Sequence, residues 1–390
     1  MSSKRLYVLT ILSFLIQFFI SLPAWYPGMT DYPNIPAFHF LVMEFPSWLQ
    51  YVLFFTLIGS CSGILFEKFR SISVYIFIIA VSVLVLEDIN RLQPWLWIHG
   101  LLLLFWSISS PDKIYGITRF VLVCMYFWSG IYKLNLNFAW EVFPYYMKAF
   151  GLGEYFFLPF EELGNFPMPM INHLAWIVPL SELTIAALLM SKYFKAGVYL
   201  AVSLHLVILL LLGPLGNSWN EVVWVWNLEI IFLLFFVFRT ENKFSFSFAS
   251  TLLKSISSAL ILIFAIAPAF WMIGWFPHNL SFHLYSGQNT YFHFYTKEPD
   301  RQFLEGDKQD WYIPSRKNDE ILFWSFYYAM DKTKLPSFPS RYHYMITGKK
   351  LCDCYEYSGS DKAGILIYSY KNSGSVIAEE RLSCKELEEL

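Results

Sequence analysis

The stretch FVLVCMYFWSGIYKLNLNF, residues 120–138, carries one charged side chain, Lys133, in 19 residues. A run that long and that apolar can cross the hydrocarbon core of a bilayer, which takes about 20 residues of helix. A lysine at the centre of such a helix costs roughly 2.5–3.5 kcal/mol, so it needs an explanation. Three are open. Lys133 snorkels to the membrane surface, or it is half of an ion pair, or it is a working base.

The rest of the chain fits the same setting. Of its 390 residues 56% are hydrophobic, 20% aromatic and 15% charged, where a soluble domain carries roughly 25% charged residues. A net charge of −2 without a basic stripe gives no nucleic-acid partner. Nine apolar runs lie near 5–22, 47–66, 71–87, 95–110, 115–133, 170–190, 194–213, 221–238 and 255–276. The two flanking LEDINRLQPW are short and are expected to tilt, thin the bilayer or merge.

Charge divides the chain. Residues 1–276 hold 28 of the 58 charged side chains and the last 114 residues hold 30. With the N-terminus cytoplasmic, eleven Lys and Arg of the apolar part fall on the inner side and three (Arg91, Lys133 and Lys148) on the outer. The sequence therefore predicts an all-α polytopic membrane helical bundle of about nine transmembrane helices over residues 1–276. A small α+β extracytoplasmic cap follows over 277–390.

In the tail, TYFHFY, GILIYSY and GSVIAEERL read as strands, DEILFWSFYYAMDKTKLP as a helix ending before Pro336, and KELEEL as a frayed helical end. Cys61 and Cys124 sit in apolar runs as small core residues. Cys352, Cys354 and Cys384 lie on the side where disulfides persist, and a bridge from Cys352 or Cys354 to Cys384 is expected. CxC with one distant Cys lacks a fourth ligand, so no metal site is expected.

The exceptions within the apolar runs are Glu87, Asp88, Arg91, His99, Lys133, Glu182, His205, Asn227 and Glu229. In the expected topology most fall near one level in the outer half. Each alone has an ordinary explanation: an interfacial lysine, a structural pair of Lys133 with Glu182 or Glu229, a hydrogen-bonded core histidine. Their convergence makes a site. Lys133, His205 and Glu182 are the catalytic candidates, with Lys133 the base. Trp128, Tyr132, Asn227, Glu229 and Arg91 are candidates to line a pocket for a flat ligand entering from the lipid, such as a quinone. Nucleotide loops, HExxH, GxSxG and a haem-holding histidine pair are absent from the sequence.

YFWSGIYKLN, with FAWEVFPYYM behind it, resembles the Gly-x-x-Lys-Leu-Asn/Asp segment of the vitamin K-dependent γ-carboxylase superfamily. That superfamily includes the bacterial horizontally transferred transmembrane (HTTM) proteins and is distantly similar to DoxX and MauE membrane proteins. PLSELTIAALLM, SLHLVILLLLGPLGNSWN, LEDINRLQPW, WNEVVWVWN and FHLYSG are similar to further segments of the group, and the resemblance covers roughly residues 45–290. It implies that Lys133 corresponds to the base that deprotonates vitamin K hydroquinone, that His205 corresponds to a histidine on the matching helix, and that the setting is a bacterial cytoplasmic membrane. The tail departs from the carboxylase: at 114 residues it lacks a counterpart of the large lumenal portion that binds a propeptide. The expectation is an integral membrane protein with quinone-linked redox or carboxylase-like chemistry. The alternative is a non-catalytic structural or assembly subunit of a larger bacterial membrane complex. In either case the lipid bilayer surrounds it, and residues 277–390 are the surface for a periplasmic or membrane partner.

Overall fold

A long apolar run becomes helix because a helix satisfies its own backbone donors and acceptors and leaves only side chains to face an apolar medium. The computed structural model describes residues 4–38, 45–152, 170–239, 251–283, 285–287, 290–297, 312–314, 321–354, 356–370 and 376–389. Within them helix runs through every apolar segment. The first five helices are α1 (Lys4–Ile20), α2 (Ser47–Leu65), α3 (Arg70–Glu87), α4 (Pro94–Ser107) and α5 (Ile114–Lys133). A short α6 (Phe143–Lys148) precedes α7 (Ile177–Met190), α8 (Phe194–Leu212), α9 (Glu221–Val237) and α10 (Thr251–Leu260), the last continuing in looser turns to Ile273.

Among the described residues five helices are long and apolar enough to cross a membrane: Ser47–Leu65, Arg70–Glu87, Ile114–Lys133, Asn172–Met190 and Phe194–Leu212. The 17-residue α1 and α9 would each reach about 25 Å. The outer faces of the bundle are themselves apolar, with Leu12, Phe55, Ile79, Leu206 and Phe232 exposed. Such a surface suits lipid better than water.

The two short segments stay separate. Between them the Asp88 side chain accepts from the Asn90 backbone N–H at 3.1 Å, and Pro94 opens α4. Asn135 ends α5 in a similar way: its Oδ1 accepts from the Phe138 N–H at 2.9 Å while its Nδ2 donates to the Tyr132 carbonyl at 2.6 Å. The same amide donates to the Ser286 carbonyl at 2.8 Å, which ties the chain after the last apolar segment to the end of α5.

Among its described residues the tail forms a five-stranded antiparallel sheet in the order β2-β3-β1-β4-β5. Its strands are β1 (Thr290–Thr296), β2 (Tyr312–Pro314), β3 (Ile321–Trp324), β4 (Ala363–Tyr370) and β5 (Val376–Ser383). α11 (Ser325–Thr333), α12 (Arg341–Cys354) and α13 (Cys384–Glu388) complete it. Three strands and the terminal helix lie where the sequence places them. DEILFWSFYYAMDKTKLP does not form one helix: Ile321–Trp324 pairs with β1 in the register Thr296↔Ile321, and helix starts only at Ser325. The aromatic and β-branched ILFW has the composition of a strand, and β1 offers it an open edge. Helix α12 went unread because RYHYMITGKKLCDC has little apolar periodicity. Of the two possible bridges, Cys352–Cys384 forms and Cys354 is free and exposed.

The cap sits on the end of the bundle where α5 finishes and α9 begins. Gln93 Nε2 donates to the Pro336 carbonyl at 3.1 Å, and the Phe338 N–H donates to Asn90 Oδ1 at 2.9 Å. Trp97 Nε1 donates to the Asn279 carbonyl at 2.8 Å, and Asn279 returns a bond to the Leu92 carbonyl at 2.7 Å.

Two buried cap histidines give the cap an acid limit. Burial holds His293 and His343 down at about 4, below the roughly 6.5 of a free histidine. Between those values the unfolded cap binds protons that the folded cap does not, so stability falls as pH drops through that window and is complete above about pH 7. The expected slope is about 1.4 kcal/mol per pH unit for each histidine. Thermal unfolding of the cap between pH 7.5 and 5, compared with a His293→Phe/His343→Phe variant, checks this: the wild-type midpoint falls and the variant's stays flatter. Parallel curves would contradict it.

Candidate functional site

Gly130 decides what Lys133 meets. A Cβ on Gly130 would lie 2.9 Å from Leu183 Cγ and 3.0 Å from the Pro179 carbonyl oxygen, so α5 and α7 approach as closely as they do only because this residue has no side chain. One turn further on, Lys133 Nζ lies 3.0 Å from Glu182 Oε1 and 3.1 Å from Oε2. Nζ also donates to Ser129 Oγ, which donates to Glu182 Oε1 at 3.0 Å. The three N–H donors of the ammonium thus have three acceptors. Lys133 and Glu182 are each 6% exposed, which rules out the snorkelling explanation.

A second network faces the pair. Asn227 Nδ2 donates to the Val223 carbonyl at 2.7 Å, which fixes the amide so that its Oδ1 accepts from His205 Nδ1 at 2.6 Å. His205 Nε2 is then the acceptor for the Tyr126 hydroxyl, also at 2.6 Å. Helices α5, α8 and α9 therefore hold one tautomer of a buried imidazole. Lys133, Glu182, His205, Asn227, Tyr126 and Tyr146 line a cavity of about 90 Å³. At ~30 Å³ per water that is room for a few waters, and less than the ~150 Å³ that accommodates benzene.

The other candidates stand elsewhere. Glu229, two residues past Asn227 and so about 200° around α9, accepts from Ser13 at 2.7 Å and Thr10 at 3.1 Å and lies 2.6 Å from His99 Nε2. Arg91 donates to Glu87 Oε2 and to the carbonyls of Ala24 and Leu84, each at 2.8 Å. With Gln50 and Glu87 it borders a separate cavity of about 760 Å³ under the cap. Trp128 and Tyr132 occupy the opposite side of α5, where they stack at 5.5 Å. They donate to the carbonyls of Phe264 and Pro268 respectively, so they brace the last apolar segment and do not line the cavity of Lys133.

The expected single level of polar groups is therefore three clusters, separated by which face of each helix a residue occupies. Ser129 and Tyr126, at −4 and −7 from Lys133, share its face and were readable from helical spacing. Tyr146 and Tyr285, which close the cavity from α6 and from the loop before the cap, gave no signal in sequence. Among the described residues no group of three or more His, Cys, Asp and Glu is placed to hold a metal ion. No protein-family model, curated protein or solved structure matches the chain.

The close approach at Gly130 is testable by adding one methyl group. Gly130→Ala is expected to lower thermal stability by about 1–3 kcal/mol, because a backbone carbonyl must move. Gly116→Ala, on the same helix with open space around it, is expected not to lower it. Equal behaviour of the two variants would remove the account of how α5 and α7 pack.

Proposed function

We propose that the chain is a multi-pass protein of a bacterial cytoplasmic membrane, with nine spans, a cytoplasmic N-terminus and the cap outside. In this reading Lys133 and Glu182 handle a proton for a flat, lipid-borne ring of the quinol type, in the manner implied by the resemblance of YFWSGIYKLN to the HTTM and γ-carboxylase group. One observation carries the reading: the ion pair borders a cavity and faces an imidazole of fixed tautomer instead of being sealed in packed side chains. A proton passed from Nζ to Glu182, 3.0 Å away, leaves a neutral amine. That amine can take a proton from a ring hydroxyl, giving an ammonium and a ring oxyanion. Glu182 is the store for the first proton, and His205 with Tyr126 is the neighbouring donor and acceptor.

The second reading is a non-catalytic structural or assembly subunit. It draws on two features of the same site: the saturated ammonium and a cavity too small for a ring. The first reading requires that space for the ring be found beside this cavity.

Complementation in the native host separates the two. Lys133→Met alone leaves Glu182 unpaired and is expected to cost about 3–5 kcal/mol whichever reading holds. The double variant Lys133→Met/Glu182→Gln removes that penalty. With its yield and thermal midpoint near wild type, it is expected to fail to restore the phenotype of a deletion strain. Full complementation would leave the structural reading. In the same cells a membrane-impermeant maleimide is expected to reach the exposed Cys354 thiol without lysis, and protection until lysis would reverse the orientation.

A further inference from the structure

The cavity of about 760 Å³ under the cap lies within the ~300–1,000 Å³ of ligand pockets. The loop after α1, the adjoining ends of α2 and α3, and cap helix α12 enclose it. Among the described residues its wall holds three cationic side chains, Arg91, Lys349 and Lys350, and one carboxylate, Glu87. Positive charge is in surplus there.

Donors on that wall also outnumber acceptors. Arg91, 5% exposed, uses three of its five N–H groups: Nε donates to the Ala24 carbonyl, and Nη1 to the Leu84 carbonyl and Glu87 Oε2. Nη2 has no partner among the described residues, and it is not sealed off, since it keeps accessible surface. Lys350 Nζ donates to the Asn34 carbonyl at 2.7 Å and Lys349 Nζ to the Glu388 carbonyl at 3.4 Å. An ammonium has three N–H groups, so each lysine has donors to spare. The nearby carboxylates are engaged. Glu87 accepts from Gln50 with one oxygen and from Arg91 with the other, Asp88 accepts from the N–H groups of Ile35 and Asn90, and Asp31 pairs with Lys332 at 2.8 Å. A negatively charged group that only accepts hydrogen bonds completes such a wall.

The rim of the cavity adjoins a face of α2 that is bare of protein. Tyr26 on the rim is 38% exposed, and its ring meets Tyr51 and Phe54 of α2 at 5.5 and 5.2 Å. On the same helix Trp48, Val52 and Phe55, at helical spacing, are each more than half exposed. Such a stripe suits acyl chains, and a tryptophan in its first turn suits the membrane surface. The cationic wall thus stands at headgroup level.

We infer that this cavity holds the headgroup of an anionic phospholipid, whose phosphate and neighbouring oxygens take the open donors of Arg91, Lys349 and Lys350 while its acyl chains run along α2. A zwitterionic headgroup fits less well, because Glu87 has both oxygens engaged and offers no free partner to an ammonium. The bound lipid joins cap to bundle, since the two lysines belong to α12 and Arg91 follows α3. The inference rests on the membrane setting of the proposed function and not on its chemistry at Lys133.

The test uses the full chain, delipidated in a neutral detergent and titrated with phosphatidylglycerol or phosphatidylcholine of the same acyl chains, with bound lipid counted by native mass spectrometry. Wild type is expected to bind phosphatidylglycerol saturably and about tenfold more tightly than phosphatidylcholine, the ratio one net charge-assisted hydrogen bond supplies. Lys349→Gln/Lys350→Gln keeps both side-chain stems and is expected to lower that ratio several-fold. Lys297→Gln/Lys385→Gln removes the same charge from cap positions that do not border the cavity, and is expected to leave the ratio unchanged. Lys133→Met/Glu182→Gln is expected to bind as wild type does. Millimolar glycerol phosphate is expected not to displace the lipid. Equal affinity of wild type for the two lipids would overturn the inference, and so would equal losses in the two lysine pairs, which would mean general surface attraction. Displacement by glycerol phosphate would transfer the site to a soluble phosphoester and overturn the lipid claim. Retention of the chain in carbonate-washed membranes checks the setting separately. A retained chain without lipid preference loses this site alone, whereas a chain that washes out loses the proposed function as well.

Discussion

The organisation of the bundle around α5 depends on keeping a lysine and a glutamate paired inside an apolar bundle. Neither charge is tolerable alone there, and their mutual attraction offsets desolvation only when the geometry is good. That geometry rests on the missing side chain of Gly130, which lets α5 and α7 close to the distance at which Lys133 Nζ reaches both Glu182 oxygens. Ser129 supplies the third acceptor from one turn back. The sequence SGIYK is thus a compact statement of the contact: a bridging hydroxyl, a gap for the neighbouring helix, and the charge one turn on.

The residues after Lys133 extend the constraint outward. Asn135 stops α5 and holds the Ser286 carbonyl, bringing the loop before the cap onto the helix end. Gly287, at φ +76°, passes so close to the Asn137–Phe138 backbone that a Cβ would meet it at 2.7 Å. Tyr285 immediately precedes these two tethers, which is why a residue from the connecting loop forms a wall of the ion-pair cavity. Helix end, loop and cap are therefore mechanically linked to the pair.

Part of this was legible in the sequence. Apolar runs gave the helical segments. The −4 and −3 positions of Ser129 and Gly130 gave the inward face of Lys133. Glu182 was singled out as a partner of Lys133, but the separation of Glu229 from that site was not legible, because it depends on which face of α9 meets which neighbour. Glu229 instead serves His99, Ser13 and Thr10 on the far side of that helix. Trp128 and Tyr132 were read as surroundings of Lys133 because they are near it in sequence, yet at −5 and −1 they lie off its face and brace the last apolar segment. Arg91 went to its own glutamate four residues away, a local pairing that any reading by depth alone would miss. Strand β3 was lost to a helix expectation because FWSFYY continues the aromatic run without a turn signal.

The most direct test of the central claim is a double-mutant cycle on Lys133 and Glu182, read as unfolding free energy in bicelles. With Lys133→Met and Glu182→Leu as the singles, a desolvated pair set by the Gly130 contact gives a coupling of about 2–3 kcal/mol, with the double variant far more stable than the two losses summed. Single losses that simply add, to within about 0.5 kcal/mol, would mean that the two charges do not sense each other and would contradict the account.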